Sequence, residues 1–120
     1  MFAHLPSTED IAHRFATARP TRFFMLDNFL PRDVYLAAMR DFPSPAESIW
    51  LQYKSGKENK KLQSRDLTRA KPALKRVLRG ANRQYFLGWL GRATGIPDLL
   101  ADPEYSGGGL HQTLRGGHLG

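Results

Sequence analysis

The sequence contains no cysteine, which excludes disulfide bonds, thiolate metal sites and a cysteine nucleophile. It also has no apolar run near the roughly 18 residues that a membrane-spanning helix needs. The first ten residues, MFAHLPSTED, lack the basic region followed by an apolar stretch that marks a signal peptide. Together these absences favour a cytoplasmic protein.

The composition itself is that of an ordinary folded domain. Hydrophobic residues make up 41% of the chain and charged residues 24%, which argues against wholesale disorder. The 120 residues are enough for one modest hydrophobic core and too few for two domains. We therefore expect residues 1–120 to belong to a single domain.

Acidic residues are scarce in one segment, residues 54–83, which we call the basic segment. It carries a net charge of +9, because only Glu58 and Asp66 oppose eleven cations: Lys54, Lys57, Lys60, Lys61, Arg65, Arg69, Lys71, Lys75, Arg76, Arg79 and Arg83. Such a concentration of charge is typical of a nucleic-acid-binding surface. The segment has no aromatic residue on which a base could stack, and no recognition-helix pattern. A small basic nucleic-acid-binding module is thus an alternative hypothesis, beside a solvated loop or a rim that attracts an anionic substrate.

Hydrophobic periodicity predicts four helices separated by short connections. The first begins after Ser7, a suitable capping residue, and ends near residue 18; the second begins at Pro31 and ends before Pro43. The third covers residues 72–79 and stops at Gly80, and the fourth begins after a capping Asn82 and ends at Gly95. The expected inward faces include Tyr35 and Met39 in the second helix and Tyr85 in the fourth.

Three short segments are predicted to be strands: residues 23–26, 49–53 and 110–114. The first is apolar throughout, as expected for a strand buried on both faces. Residues 54–69 are polar and show no periodicity, so a loop is predicted there. Gly116-Gly117 is predicted to form a turn that follows the last strand.

Four histidines raise the question of a metal site. His4 and His13 have neither a helical i,i+4 spacing nor a nearby paired carboxylate, so solvated or capping roles are expected. His111 and His118 are seven residues apart, which places them on opposite faces of a regular strand. Because no Asp or Glu follows Glu104, a complete local set of two histidines and one carboxylate is absent. No metal-ligating or catalytic residue is therefore assigned in this chain.

The triple glycine at 107–109 could in principle cradle a phosphate. It precedes the strand-like LHQTL rather than a helix whose N-terminus would receive an anion, and it fits neither a P-loop nor a dinucleotide fingerprint. A tight bend or a close backbone approach is the better interpretation.

One longer block carries a family resemblance. Residues 89–120, WLGRATGIPDLLADPEYSGGGLHQTLRGGHLG, contain a tryptophan-bearing segment, a T-G-I turn, a D-P step and a G-G-G-L-H strand. In this order the block resembles part of the iron(II)- and 2-oxoglutarate-dependent oxygenases of the prolyl-hydroxylase-like group. Residues 23–45, FFMLDNFLPRDVYLAAMRDFPSP, are similar to the opening strand and helix of that family.

The resemblance implies an α+β chain that supplies the N-terminal helical support and first strands of a double-stranded β-helix, or jelly roll. It also implies an intact enzyme that binds Fe(II) and 2-oxoglutarate and hydroxylates a C–H bond, since oxidative decarboxylation of the cosubstrate drives that reaction in the family. Prolyl residues of a protein, free amino acids and sugar-linked small molecules all remain compatible as substrates. No membrane and no specific nucleic acid is expected as a partner of such an enzyme.

The family's metal-binding H-x-D would fall just after Gly120, so the chain is expected to be the N-terminal portion of the domain, incomplete at its C-terminus and inactive alone. By the same resemblance, a polar side chain about ten residues before H-x-D contacts 2-oxoglutarate, which assigns that contact to Gln112. The interpretation that Gln112 faces solvent or caps an edge stays open beside it. Alternation along the strand predicts that His111 and Thr113 face one way, and Leu110, Gln112 and Leu114 the other.

Overall fold

The computed structural model describes residues 2, 5–53 and 55–120, and the side chain of Tyr53 is outside that description. The described residues form an α+β fold, which confirms the predicted α+β class. Its elements are α1 (Thr8–Thr17), α2 (Arg32–Asp41), β1 (Trp50–Tyr53), β2 (Glu58–Ser64), a 3-10 helix η1 (Leu67–Arg69), α3 (Pro72–Ala81), α4 (Gln84–Thr94) and β3 (His111–Leu119).

The three strands form one antiparallel sheet in the order β1-β2-β3. Gln52 of β1 lies opposite Leu62 of β2, and Leu62 in turn lies opposite Gln112 of β3. Because residues directly opposite one another in an antiparallel pair point to the same side, this row fixes which residues share a face.

The central strand is the main correction to the sequence-based prediction. Residues 54–69 were predicted to be a loop, yet they contain both β2 and η1. Within β2 only Leu62 is apolar and buried, at 4% exposure, so periodicity gave no signal. The strand forms because β1 and β3 satisfy its backbone groups from both sides.

The prediction of a turn at Gly116-Gly117 is also wrong, since β3 continues through both residues to Leu119. Lys61 pairs with Thr113, whereas Asn59 pairs with His118, so β3 has a bulge opposite Lys60. Lys60 and Gly116 adopt left-handed conformations, with φ of 55° and 79°, and these absorb the irregularity.

Two separate clusters of buried side chains hold the chain together. The sheet cluster joins the strands to α2, η1 and α3, and its buried members are Ile49, Trp50, Leu62, Ala70, Leu74 and Leu110. The aromatic cluster joins α1 and α4 to the segments around them, and its members are Leu5, Ile11, Trp89 and Ala93 with half-buried Phe2, Phe24, Leu26, Phe29, Phe86 and Leu90.

Residues 23–26 were predicted to be a buried strand, and this is wrong. In the described part of the chain they form no strand and pair with none, and Phe23 and Met25 are 49% and 72% exposed. Phe24 and Leu26 instead pack into the aromatic cluster, where the ring of Phe24 lies 5.9 Å from that of Trp89. The segment is therefore a strip of apolar side chains that covers helices, with alternate residues turned outward.

The helices are found where periodicity placed them, with several corrections in detail. Tyr35 and Met39 of α2 and Tyr85 of α4 were predicted to face inward but are exposed. The side chain of Ser7 makes no capping hydrogen bond, and Arg83 rather than Asn82 precedes α4 as its cap. Gly80 is buried inside α3, which runs on to Ala81, whereas Gly95 ends α4 in a left-handed conformation as predicted.

Candidate functional site

Strand β3 carries the residues that the sequence singled out, and its alternation is as predicted. Gln112 lies opposite Leu62, and Leu110 and Leu114 on the same side contact the sheet cluster. Gln112 is therefore on the face of the sheet that packs against α2 and α3. Its assignment to 2-oxoglutarate stays a prediction.

The amide of Gln112 has an unusual environment. Its Oε1 atom is buried and accepts no hydrogen bond from any described residue. A buried acceptor without a donor costs about 1–3 kcal/mol, so such atoms are rare in folded proteins. The Oε1 atom of Gln112 is thus a buried acceptor that the described residues leave without a donor.

The opposite face of the sheet is open. His111 and Thr113 are exposed there, beside Gln63 and Lys61 of the neighbouring strand. The Lys61 ammonium lies 3.0 Å from the Glu58 carboxylate, and Leu51 is 37% exposed on the same face. No helix in the described residues covers these side chains, so this face presents a mixed polar and apolar surface.

The histidines do not converge on a metal site. His111 pairs with Gln63 and His118 with Asn59, on either side of the bulge, and His13 is exposed on α1. His4 lies outside the described residues. Across the part of the chain that the structure covers, no group of three or more His, Asp or Glu side chains is arranged to hold a metal ion. These residues alone therefore do not fit a three-ligand iron site.

The glycine run before β3 makes a close backbone contact, as the sequence predicts. Gly109 has φ of 131°, and a Cβ there would lie 2.8 Å from Ser64 Oγ. That hydroxyl accepts a hydrogen bond of 3.0 Å from the Leu110 backbone N–H. The glycine thus lets the start of β3 approach the end of β2, and this contact aligns the strand that carries Gln112.

The basic segment does not form one continuous surface element. Lys60 and Lys61 lie in β2, whereas Lys75, Arg76 and Arg79 lie in α3, and Lys54 is outside the described residues. Several of its cations have local partners: Lys60 Nζ is 3.4 Å from the Arg115 carbonyl, and the Arg69 guanidinium donates to Ser48 Oγ at 2.6 Å. The charge is therefore distributed between the sheet and the helical layer.

Sequence reasoning missed a cleft between η1, α3 and the loop at residues 101–105. Its volume is about 480 Å³, and it is lined by Asp66, Leu67, Thr68, Lys75, Leu78, Arg79, Asn82, Ala101, Pro103, Glu104 and Tyr105. We call it the η1–α3 cleft. No local motif marks it, because its walls come from three separate segments, residues 66–68, 75–82 and 101–105.

The electrostatics of this cleft are best defined at Asp66. The Thr68 hydroxyl and backbone N–H donate to its Oδ1 at 2.7 Å and 2.9 Å. These two hydrogen bonds, with smaller contributions from the Arg69 and Lys75 charges, hold the pKa of Asp66 below its ordinary value of 3.8. Asp66 thereby caps η1 and is ionised near neutral pH.

Comparison of this chain with protein-family models, with curated proteins and with solved structures gave no match. None of the helices that the structure describes has the length and apolar character required to cross a membrane.

Proposed function

We propose that this chain forms the N-terminal part of an iron(II)- and 2-oxoglutarate-dependent oxygenase domain of the double-stranded β-helix type. The observation that carries the proposal is the sequence from Thr94 to His111. Its motifs resemble, in the same order, those of the prolyl-hydroxylase-like group, and it leads directly into β3. The function proposed for the intact enzyme is hydroxylation of a C–H bond in a small molecule or peptide.

The arrangement of layers supports this proposal. Helices α2 and α3 pack on one face of the antiparallel sheet, and the other face is open. Within the described residues, β3 is an edge strand, so one side of its backbone has no strand partner. A jelly roll formed with further strands would cover this face and this edge.

The chain's own contribution would be structural rather than catalytic. Since its described residues do not form a three-ligand metal site, no reaction step is assigned to them. The resemblance assigns the contact with 2-oxoglutarate to Gln112, whose Oε1 is buried without a donor on the face of the sheet that packs against α2 and α3. The further strands of a jelly roll would instead enclose the open face, which carries His111 and Thr113. The iron ligands would come from an H-x-D motif that follows Gly120.

The gene beyond the codon for Gly120 and the activity of the chain test the proposal together. We expect an H-x-D motif within about five codons, because the spacing after a G-G-G-L-H strand in similar enzymes places it there. We expect the 120-residue chain alone to produce no iron-dependent succinate from 2-oxoglutarate, and the extended protein to produce it. Replacement of the new His or Asp in the extended protein should abolish that activity.

Three results would overturn the proposal. The first is a reading frame without His and Asp after Gly120. The second is iron-dependent succinate production by the 120-residue chain that His111→Ala or His118→Ala abolishes while the control His13→Ala does not. The third is sequence-selective DNA or RNA binding that persists at physiological salt, which would favour the nucleic-acid module instead.

A further inference from the structure

We propose that α2 is a homodimer interface, on which α2 of a second copy of this chain packs in the antiparallel direction. Two features of the helix carry this inference: three large apolar side chains that are exposed on it, and a row of opposite charges that is complementary to itself. The inference is independent of the oxygenase proposal. The further strands of a jelly roll would extend and cover the sheet, whereas the exposed side of α2 points away from the sheet.

One side of α2 packs inward and the other has no neighbour in the described residues. Val34 is buried, and Ala38 packs against the sheet cluster. The exposed residues on the opposite side form what we call the outer face of α2: Arg32, Asp33, Tyr35, Leu36, Met39 and Arg40. Tyr35, Leu36 and Met39 are 48%, 49% and 56% exposed. Bulky apolar side chains gathered on one face, with charges around them, are typical of a protein-protein contact surface.

The charges of the outer face select a second copy as the partner. Asp33, Leu36 and Arg40 are three and four residues apart, so they form one row that begins with an acid and ends with a base. If a second α2 lies antiparallel about the midpoint of the helix, Asp33 of each copy is opposite Arg40 of the other. Leu36 of both copies then lies at the centre. A parallel pair would place both acids at one end and both bases at the other, so the row favours the antiparallel arrangement.

Both charged groups of the row are available for pairing. The side chain of Arg40 is 74% exposed, and its Nε donates to Asp41 Oδ1 at 3.3 Å. In the part of the chain that the structure describes, its Nη atoms donate no hydrogen bond, and no cation lies within 4.0 Å of the Asp33 carboxylate. A guanidinium has five N–H donors in a planar fork, so Arg40 can keep Asp41 and still bind a carboxylate of the second copy.

The helix dipole favours the same arrangement. Arg32 is the first residue of α2, where a cation meets the positive end of the dipole of its own helix. In an antiparallel pair the N-terminus of each helix lies beside the C-terminus of the other. Arg32 then lies near the negative end of the second copy's helix, and dimerisation offsets a charge placement that is unfavourable in the isolated chain.

The length of α2 sets the strength of the contact. The helix has ten residues, which correspond to about 15 Å at a rise of 1.5 Å per residue. One helix face of this length makes a contact smaller than the roughly 1,200 Å² at which stable complexes begin. We therefore expect a weak dimer with a dissociation constant of about 0.1 mM, which forms only as the protein concentration rises.

Sedimentation equilibrium of the full 120-residue chain, from about 10 μM to 1 mM, measures the association. The weight-average mass should rise from the monomer value of 13.6 kDa toward twice that value. ¹H–¹⁵N spectra over the same concentrations show where the copies meet. We expect the concentration-dependent shifts at the amides of α2 and none at those of β3, whose free edge is the other surface able to pair with a second copy.

Charge reversal tests the antiparallel pairing directly. Asp33→Arg and Arg40→Asp should each weaken self-association by about ten-fold, because like charges then meet at both ends of the contact. An equimolar mixture of the two variants should associate at least as tightly as the unchanged chain, since one row then carries two bases and the other two acids. Both changes in one chain should also restore association, because the row is again complementary to itself.

The matched controls are Asp10→Arg and Arg14→Asp in α1. They make the same changes in net charge at side chains that are 78% and 52% exposed. Because they lie outside α2, each should change the self-association constant by less than about two-fold.

Several outcomes would overturn the proposal. A chain that stays at the monomer mass up to 1 mM would exclude the dimer. Shifts at the amides of β3 instead of α2 would assign the association to the edge of the sheet. A mixture of Asp33→Arg and Arg40→Asp that associates no better than either variant alone would exclude the antiparallel pairing. Equal effects of the α1 controls would show that net charge, and not the row on α2, governs association.

Discussion

The aromatic cluster and the sheet cluster both bury apolar side chains, but they are assembled in different ways. The aromatic cluster is assembled from helices and from apolar stretches that are obvious in the sequence, and rings cover one another within it; those of Phe86 and Trp89 stack 6.0 Å apart. The sheet cluster depends on a polar central strand that contributes one buried side chain, Leu62.

Each cluster contains one tryptophan whose indole N–H donates to a backbone carbonyl. Trp89 donates to Pro6 at 2.8 Å in the aromatic cluster, and Trp50 donates to Ser44 at 2.8 Å in the sheet cluster. The two clusters share no residue. The aromatic cluster is therefore held by side-chain packing, whereas the sheet cluster needs backbone pairing in register before its side chains can pack.

The largest expected effect comes from Trp89→Ala. It removes a 4%-exposed ring and its hydrogen bond to Pro6, and should lower the free energy of unfolding of the aromatic cluster by about 3–5 kcal/mol. In one urea titration, far-UV circular dichroism should show early loss of helix. The emission of the remaining Trp50 should show a smaller shift in midpoint.

The control for this change is Tyr85→Ala, which removes another aromatic ring from α4 at a position that is 73% exposed. Its effect should stay within about 0.5 kcal/mol. Coincident loss of both signals in Trp89→Ala would contradict the comparison, because it would show that the two clusters unfold as one cooperative unit.

A smaller effect, confined to the sheet, is expected from Gly117→Ala. A Cβ at this position would lie 2.7 Å from the Asn59 carbonyl oxygen and 2.9 Å from that of Leu114, so backbone must move. The free energy of unfolding should fall by about 1–3 kcal/mol. In a Trp89→Phe background, where Trp50 is the emitter, the transition of the sheet should move to lower urea.

Gly56→Ala serves as the matched control, because a Cβ there meets nothing within 4 Å. We expect it to change stability by no more than about 0.5 kcal/mol. Equal effects of the two substitutions would argue that the close packing of β3 against β2 at the bulge does not hold.

The smallest expected effect is the pH dependence contributed by Asp66. Its pKa is lower in the folded chain than in the unfolded chain, so its contribution to stability is present above pH 3.8 and is lost as the pH falls through the folded value. Thr68→Val removes the hydroxyl donor, and the pKa of Asp66 should rise toward 3.8 in a carboxyl ¹³C titration. The control Thr17→Val removes a hydroxyl that donates to the His13 carbonyl and should leave Asp66 unchanged. An Asp66 titration that Thr68→Val does not move would assign the lowered pKa to the backbone N–H of residue 68 and to the neighbouring cations.

The sequence predicted those elements whose own side chains decide their structure. The amphipathic helices and Gly95 could be located because apolar spacing and a left-handed terminator are local properties. Strand β2 could not, because its polar residues become a strand only when partners distant in the chain satisfy the backbone. For residues 23–26 the error was the opposite one: their apolar composition predicts a strand, but Phe24 and Leu26 pack against helices instead.

The candidate site was predictable only in part. The alternation around Gln112 follows from strand geometry, and the structure reproduces it. The η1–α3 cleft was not predictable, because Lys75 and Pro103 meet only through the fold and neither belongs to a motif. Exposure of Tyr35 was missed for a related reason: a helical wheel identifies an apolar side but not how much of it a neighbour covers.

The pairing of β2 has a consequence for the order in which the chain assembles. Its contact with β1 spans a short connection, whereas Lys61 and Thr113 are separated by about fifty residues that include α3 and α4. Closing a longer loop costs more chain entropy, and distant contacts form more slowly than local ones. The β1–β2 hairpin and the helices between β2 and β3 can therefore form first. Strand β3 then joins a surface that is already present, and its arrival completes the sheet.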